Sequence, residues 1–219
     1  FFGHAYLAAR ERDDPRFILG SMIPDFVGMI AARVSAIRDP TVEAGVAHHH
    51  EVDTAFHGAP MFLSLMGEAQ DYLEARGLAH GAAMAVGHVG VELILDGWLS
   101  GHGHRHDAFC AAISAAREDM VEWRSPDYGH RWRLLCDRLI DGTLPYAYLE
   151  PSFIASRLEL ILSTRPRLAL RGDDRTLVEA WATHAGPRIH SHATALMVEV
   201  VDRLTAARQL AETTTRVQE

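Results

Sequence analysis

Apolar residues along the chain recur at three- and four-residue intervals, and the alternating valine, isoleucine and threonine runs that mark strands are missing. Turn residues punctuate the pattern at Asp13-Asp14-Pro15, Asp39-Pro40, Gly58-Ala59-Pro60, Gly101 to Gly103, Ser125-Pro126, Asp141 to Pro145, Thr164-Arg165-Pro166 and Gly172-Asp173-Asp174. Between them lie about eight or nine helical segments of ordinary length. From Ala108 to Trp123, the stripe of Phe109, Ala112, Ile113, Ala116, Met120 and Val121 predicts one amphipathic helix. Asp174 is placed to cap a helix that begins near Arg175 and runs to about Ala211, with Pro187 expected to break or kink it. No internal repeat and no low-complexity linker interrupts the pattern. Residues 1–212 therefore read as one all-α domain, a helical bundle, with 213–219 as a frayed tail.

The 219 residues suit a single domain of generous size, or at most two small ones, and a composition of 48% hydrophobic and 23% charged residues is that of a soluble globular chain. A net charge of -8 without a concentrated basic face argues against nucleic-acid binding. All 21 basic residues are arginine, and the absence of lysine excludes P-loop NTPases, Schiff-base enzymes and pyridoxal enzymes. Two cysteines, Cys110 and Cys136, are too few for a disulfide scaffold or a thiolate zinc site. The most apolar stretch, 81–99, is interrupted by His88, Glu92 and Asp96, so no membrane span is expected. No basic leader precedes the first apolar residues, and a cytoplasmic location is expected.

What changes the picture is the 14 histidines, and where some of them fall. His88, Glu92 and Asp96 lie at i, i+4 and i+8 within an apolar segment, which puts them on nearly one helical face. Burying ionisable groups together is costly unless they are paired or bound to a cation, and imidazole and carboxylate are natural ligands of divalent metals. His49 and Asp53 repeat the i, i+4 spacing, while His48 and His50 point about 100° to either side of His49. Asp25 follows Pro24 in an apolar run, and His4 sits among Phe1, Phe2, Tyr6 and Leu7. Four helices thus each contribute to one set, His4, Asp25, His49, Asp53, His88, Glu92 and Asp96, in the way helical bundles assemble metal centres. Neither a Gly-x-Ser-x-Gly elbow nor a His-Glu-x-x-His motif occurs. His102, His104 and His106, between glycines and charges, read as an exposed loop.

The order of these motifs resembles the acyl carrier protein phosphodiesterase family, distorted relatives of the HD-type metal phosphohydrolases. The resemblance is carried by Phe2-Gly-His4-Ala-Tyr-Leu-Ala8, Gly20-Ser-Met-Ile-Pro-Asp25-Phe-Val27, Ala44-Gly45 before His49-x-x-x-Asp53, Pro60, Glu92-Leu-Ile-Leu-Asp96-Gly-Trp-Leu99, Arg165-Pro-Arg-Leu168, and Trp181 through Pro187-Arg188. It implies an HD-like helical bundle and hydrolysis of a phosphodiester, releasing 4′-phosphopantetheine from an acyl carrier protein partner. It also implies one or two divalent ions, manganese or magnesium. The resemblance covers Asp25, His49, Asp53, Glu92 and Asp96, and with the residue pattern it makes His4, Asp25, His49, His88 and Glu92 the expected metal ligands. His4, Asp53 and Asp96 are open to a second ion, to support of the ligands or to the general base, and Arg165, Arg167 or Arg188 is expected to face the phosphate. The same ligand order is more loosely similar to that of zinc-dependent phospholipase C proteins. Glu92 stands where the family has aspartate, Gly97 where it has histidine, and His57 where it has an acid, while His88 is an added imidazole. The extra nitrogens shift the expected metal toward zinc, iron or manganese. Two other readings use the same ligands: a non-catalytic metal-binding scaffold, and an iron-dependent enzyme that activates oxygen.

Overall fold

Proline and aspartate signals set most helix starts. In the computed structural model, which describes residues 1–101, 106–140 and 145–218, the helices are α1 (Phe2–Glu11), α2 (Pro15–Met29), α3 (Pro40–His57), α4 (Pro60–Glu74), α5 (His80–Gly101), α6 (His106–Ser114), α7 (Pro126–Ile140), α8 (Pro151–Ser163) and α9 (Asp174–Gln218). Five of these nine open on a proline, whose fixed φ suits a first helical turn and whose missing N–H is not needed there. The all-α class is as the periodicity predicted. The expected turns at 101–103 and 141–145 lie partly outside the described residues, as do His102 and His104, whereas His106 opens α6. Two compact units make up the chain: Phe1–Glu51 with Asp96–Ala147, and Val52–Leu95 with Tyr148–Glu219.

In the first unit, Asp14 caps α2 by accepting from the Arg16 N–H at 2.9 Å. Close passage of α2 and α3 depends on two glycines. A Cβ at Gly20 would lie 2.1 Å from the Val42 carbonyl oxygen, and one at Gly45 would lie 2.1 Å from that of Phe17. A short antiparallel pair, β1 (Val34–Ile37) and β2 (Val121–Trp123), departs from the sequence expectation. Strands this short carry no period-two signal, and the pairing of distant segments stabilises them rather than local preference. The pairing also corrects the expected Ala108–Trp123 helix. α6 stops at Ser114, and Met120 and Val121 are buried in a 3₁₀ turn and in β2 instead.

In the second unit, Gly77 takes a φ of +96° where α4 ends, a boundary the turn signals missed. α5 fits closely at two glycines. A Cβ at Gly87 would lie 3.0 Å from the Met66 carbonyl oxygen of α4, and one at Gly90 would come within 2.5 Å of the Trp181 ring of α9. Pro187 does not break α9, which runs from Asp174 to Gln218. Its missing N–H costs one backbone bond, and burial of Trp181, Ala182, Ile189, Ala193 and Leu196 along one face holds the helix through it. Asp174 does not cap forward as expected. Its carboxylate accepts from the Arg171 N–H at 2.8 Å, closing the preceding turn. Although α5 is long and apolar enough to cross a membrane, 67% of its most apolar window is buried within the protein, as in a core helix.

Candidate metal centre

The second unit brings His57, His88 and Glu92 together. Gly87 and Gly90 let α5 settle against α4 and α9, and His88 lies between them in sequence. The end of α3 is held by Arg203 of α9, whose Nε donates to the Ala55 carbonyl at 2.9 Å, a cation at the negative end of the helix dipole. His57 is the last residue of α3. Glu92 Oε1 accepts from His57 Nε2 at 3.1 Å and lies 3.2 Å from His88 Nε2, and the two imidazole centroids are 4.6 Å apart. Buried Phe62 closes one side, its ring 5.4 Å from His57 and edge-on to His88 at 5.5 Å. Burial pushes the Glu92 carboxyl up, but the hydrogen bonds and charges of His57 and His88 outweigh it and hold the group at about 2, against an ordinary 4.5. The outcome is an ionised carboxylate and two imidazole nitrogens, all three donor atoms within 4.8 Å of one another. Divalent transition metals take such a set of two nitrogens and one oxygen.

The first unit holds a different arrangement. His4 of α1 and His49 of α3 stack with ring centroids 3.9 Å apart. His49 is 3% exposed, and its Nδ1–H donates to the Ser21 carbonyl at 2.8 Å. The glycine crossing explains this contact, since His49 is one turn beyond Gly45 and Ser21 follows Gly20. A donating Nδ1 puts the lone pair of the neutral ring on Nε2, as in imidazoles oriented for a metal. Asp96 is buried, and its carboxylate accepts from the backbone N–H groups of Phe2 at 3.1 Å and Gly3 at 2.7 Å. Asp25 is half-buried, with Oδ2 3.3 Å from the Phe1 nitrogen. His48 is also buried, with Nδ1 3.4 Å from Glu11 Oε2 and its ring against Phe17.

His4, Asp25, His49 and Asp96 lie in the first unit, and Asp53, His88, Glu92, Arg165 and Arg167 in the second. Arg165 and Arg167 are exposed in the turn after α8, where Leu168 lies against Gly81, seven residues before His88 on α5. Arg188, another arginine of the family pattern, forks both arms onto Glu68. His57 was not among the expected ligands. It stands at i+8 from His49 and i+4 from Asp53, so the spacing rule applied to α5 would have found it on α3. Comparison with protein-family models, with curated proteins and with solved structures returned no match.

Proposed function

We propose that the chain is a metal-dependent hydrolase of phosphodiesters, with a divalent cation held by His57, His88 and Glu92. One observation carries this reading: the second-unit parts of α3 and α5 place two imidazoles on a single ionised carboxylate oxygen. Two nitrogens and one oxygen fit zinc, manganese or iron better than magnesium, which favours oxygen ligands alone. A bound cation there supplies an acidified water and polarises a phosphoryl oxygen. Glu92 brings the negative charge, and Phe62 excludes water from one flank. Asp53, one turn before His57 on α3, is the candidate general base, and Arg165 and Arg167 are the candidate phosphate anchors. In the first unit, His4 and His49 offer a second nitrogen pair for a second ion. The family resemblance proposes an acyl carrier protein as the bearer of the substrate.

The test is elemental analysis of the purified chain, then turnover of bis(4-nitrophenyl) phosphate and of a phosphopantetheinylated carrier protein with each metal added back. Metal-dependent turnover, lost with a chelator and restored by zinc or manganese, supports the reading. Turnover unaffected by complete chelation overturns it. Bound metal without turnover on either substrate supports the scaffold reading instead, and a redox-active iron centre supports the oxygen-activating one.

A further inference from the structure

In the first unit, where β2 runs into α7, a cavity of about 440 Å³ is walled by Val121, Trp123, Pro126 and Gly129 together with Arg38 and Arg133. Small-molecule sites span about 300–1,000 Å³, so this volume suits a compact organic ligand. Within the wall, Trp123 Nε1–H is buried and has no acceptor among the described residues. A buried donor without an acceptor is rare in folded proteins, and its cost is recovered by a ligand that supplies one.

The surroundings hold that donor in place. Trp123 packs on buried Trp132 with ring centroids 5.5 Å apart. Its pyrrole edge faces Gly129, where a Cβ would lie 3.4 Å from Cδ1 and 3.9 Å from Nε1. Glycine inside a helix sacrifices helical propensity, and here it leaves the pyrrole edge of the indole without a side chain against it from α7. Arg38 gives Nε and Nη2 to Glu122, at 3.2 and 2.8 Å, which leaves further N–H donors on a guanidinium that has five. A second cavity of about 430 Å³ shares Arg38 and Asp119 and adds Arg16 and Arg117, which pair with Asp39 and Asp119 at 3.2 Å each. Asp119 and Glu122 balance the charge of the first cavity. A polyanion would be repelled by them. One compact anionic group on a flat apolar body would not, since it meets the guanidinium, the indole N–H and the apolar wall together.

We propose that this cavity binds a small aromatic carboxylate or phosphate, with an anionic oxygen accepting from Trp123 Nε1 and paired with Arg38. The proposal is independent of the metal centre. Its test is calorimetric titration of the full chain with phenylacetate, phenyl phosphate and inorganic phosphate. The first two distinguish the carboxylate from the phosphate source, and the third removes the aromatic body. One of the aryl anions is expected to bind, more tightly than inorganic phosphate. Trp123→Phe keeps the ring against Trp132 and removes only the donor, so it should weaken that binding about ten-fold, the worth of one charge-assisted hydrogen bond. Failure of both aryl anions to bind, or undiminished affinity in Trp123→Phe, overturns the proposal. If Trp123→Phe does not fold, Gly129→Ala decides. Its methyl sits at ordinary contact distance in a helix that alanine favours, so the fold is kept while the space beside Nε1 is narrowed. Weakened binding then supports the site, and unchanged binding overturns it.

Discussion

Glu92 and Asp96 stand one turn apart on α5, and their neighbours set them to different work. Asp96 is 5% exposed and accepts from the N–H groups of Phe2 and Gly3, donors that the first turn of α1 cannot satisfy by itself. A carboxylate there also meets the positive end of the helix dipole. Glu92 is half-exposed and is bonded to imidazoles instead. The difference is in what each partner can give up. A backbone N–H stays a donor at any pH, so Asp96 is committed to holding α1. An imidazole that releases its proton becomes a ligand, so the contacts of Glu92 can be exchanged for a metal.

The sharpest break of this comparison is Glu92→Gln. The amide keeps an acceptor for the imidazoles but removes the charge, and metal affinity in a competition titration should fall at least about 100-fold, with phosphodiester turnover falling alongside. Folding should change by no more than about 1 kcal/mol, since the group is part-exposed. An unchanged affinity would move the metal elsewhere. Asp96→Ala should do the reverse. With two N–H groups at the start of α1 losing their buried acceptor, urea unfolding should show a loss of roughly 2–3 kcal/mol, while the metal affinity of the folded protein stays near native. Asp96→Asn, which keeps one acceptor oxygen, should recover part of that stability. If it is fully stable yet inactive, Asp96 acts in the chemistry rather than as a cap.

Sequence spacing placed every member of the second-unit cluster except His57, because helical periodicity is local and the i, i+4 rule needs no tertiary knowledge. It could not tell Glu92 from Asp96, since only the fold shows that α1 begins beside the latter. The helices were legible for the same reason, with prolines at Pro15, Pro40, Pro60 and Pro126 marking their starts. β1 and β2 were not, because Val34 pairs with Trp123 far along the chain, a partner that no local pattern reports. The course of α9 through Pro187 was missed because burial of one face outweighed the local penalty. Arg188 shows the same limit: its place in a motif suggested phosphate, but the fold gives it Glu68.

The smallest effect separates the two acids by titration. His57 and His88 hold the Glu92 carboxyl at about 2 in the folded metal-free protein, below the 4.5 it has when unfolded. A carboxyl lowered in this way stabilises the fold fully above about 4.5, and the contribution drains away as the pH falls toward 2. Because Glu92 is 38% exposed, solvent screening reduces the effect to about 1 kcal/mol. Metal-free native protein and Glu92→Gln, unfolded in urea across this range, should differ by about that amount near pH 5 and converge near pH 2. A gap that stays constant through the titration would mean that the imidazoles hold Glu92 by hydrogen bonds that do not depend on its charge. The charge of Glu92 would then contribute little at this site, and the loss of metal affinity expected for Glu92→Gln should shrink with it.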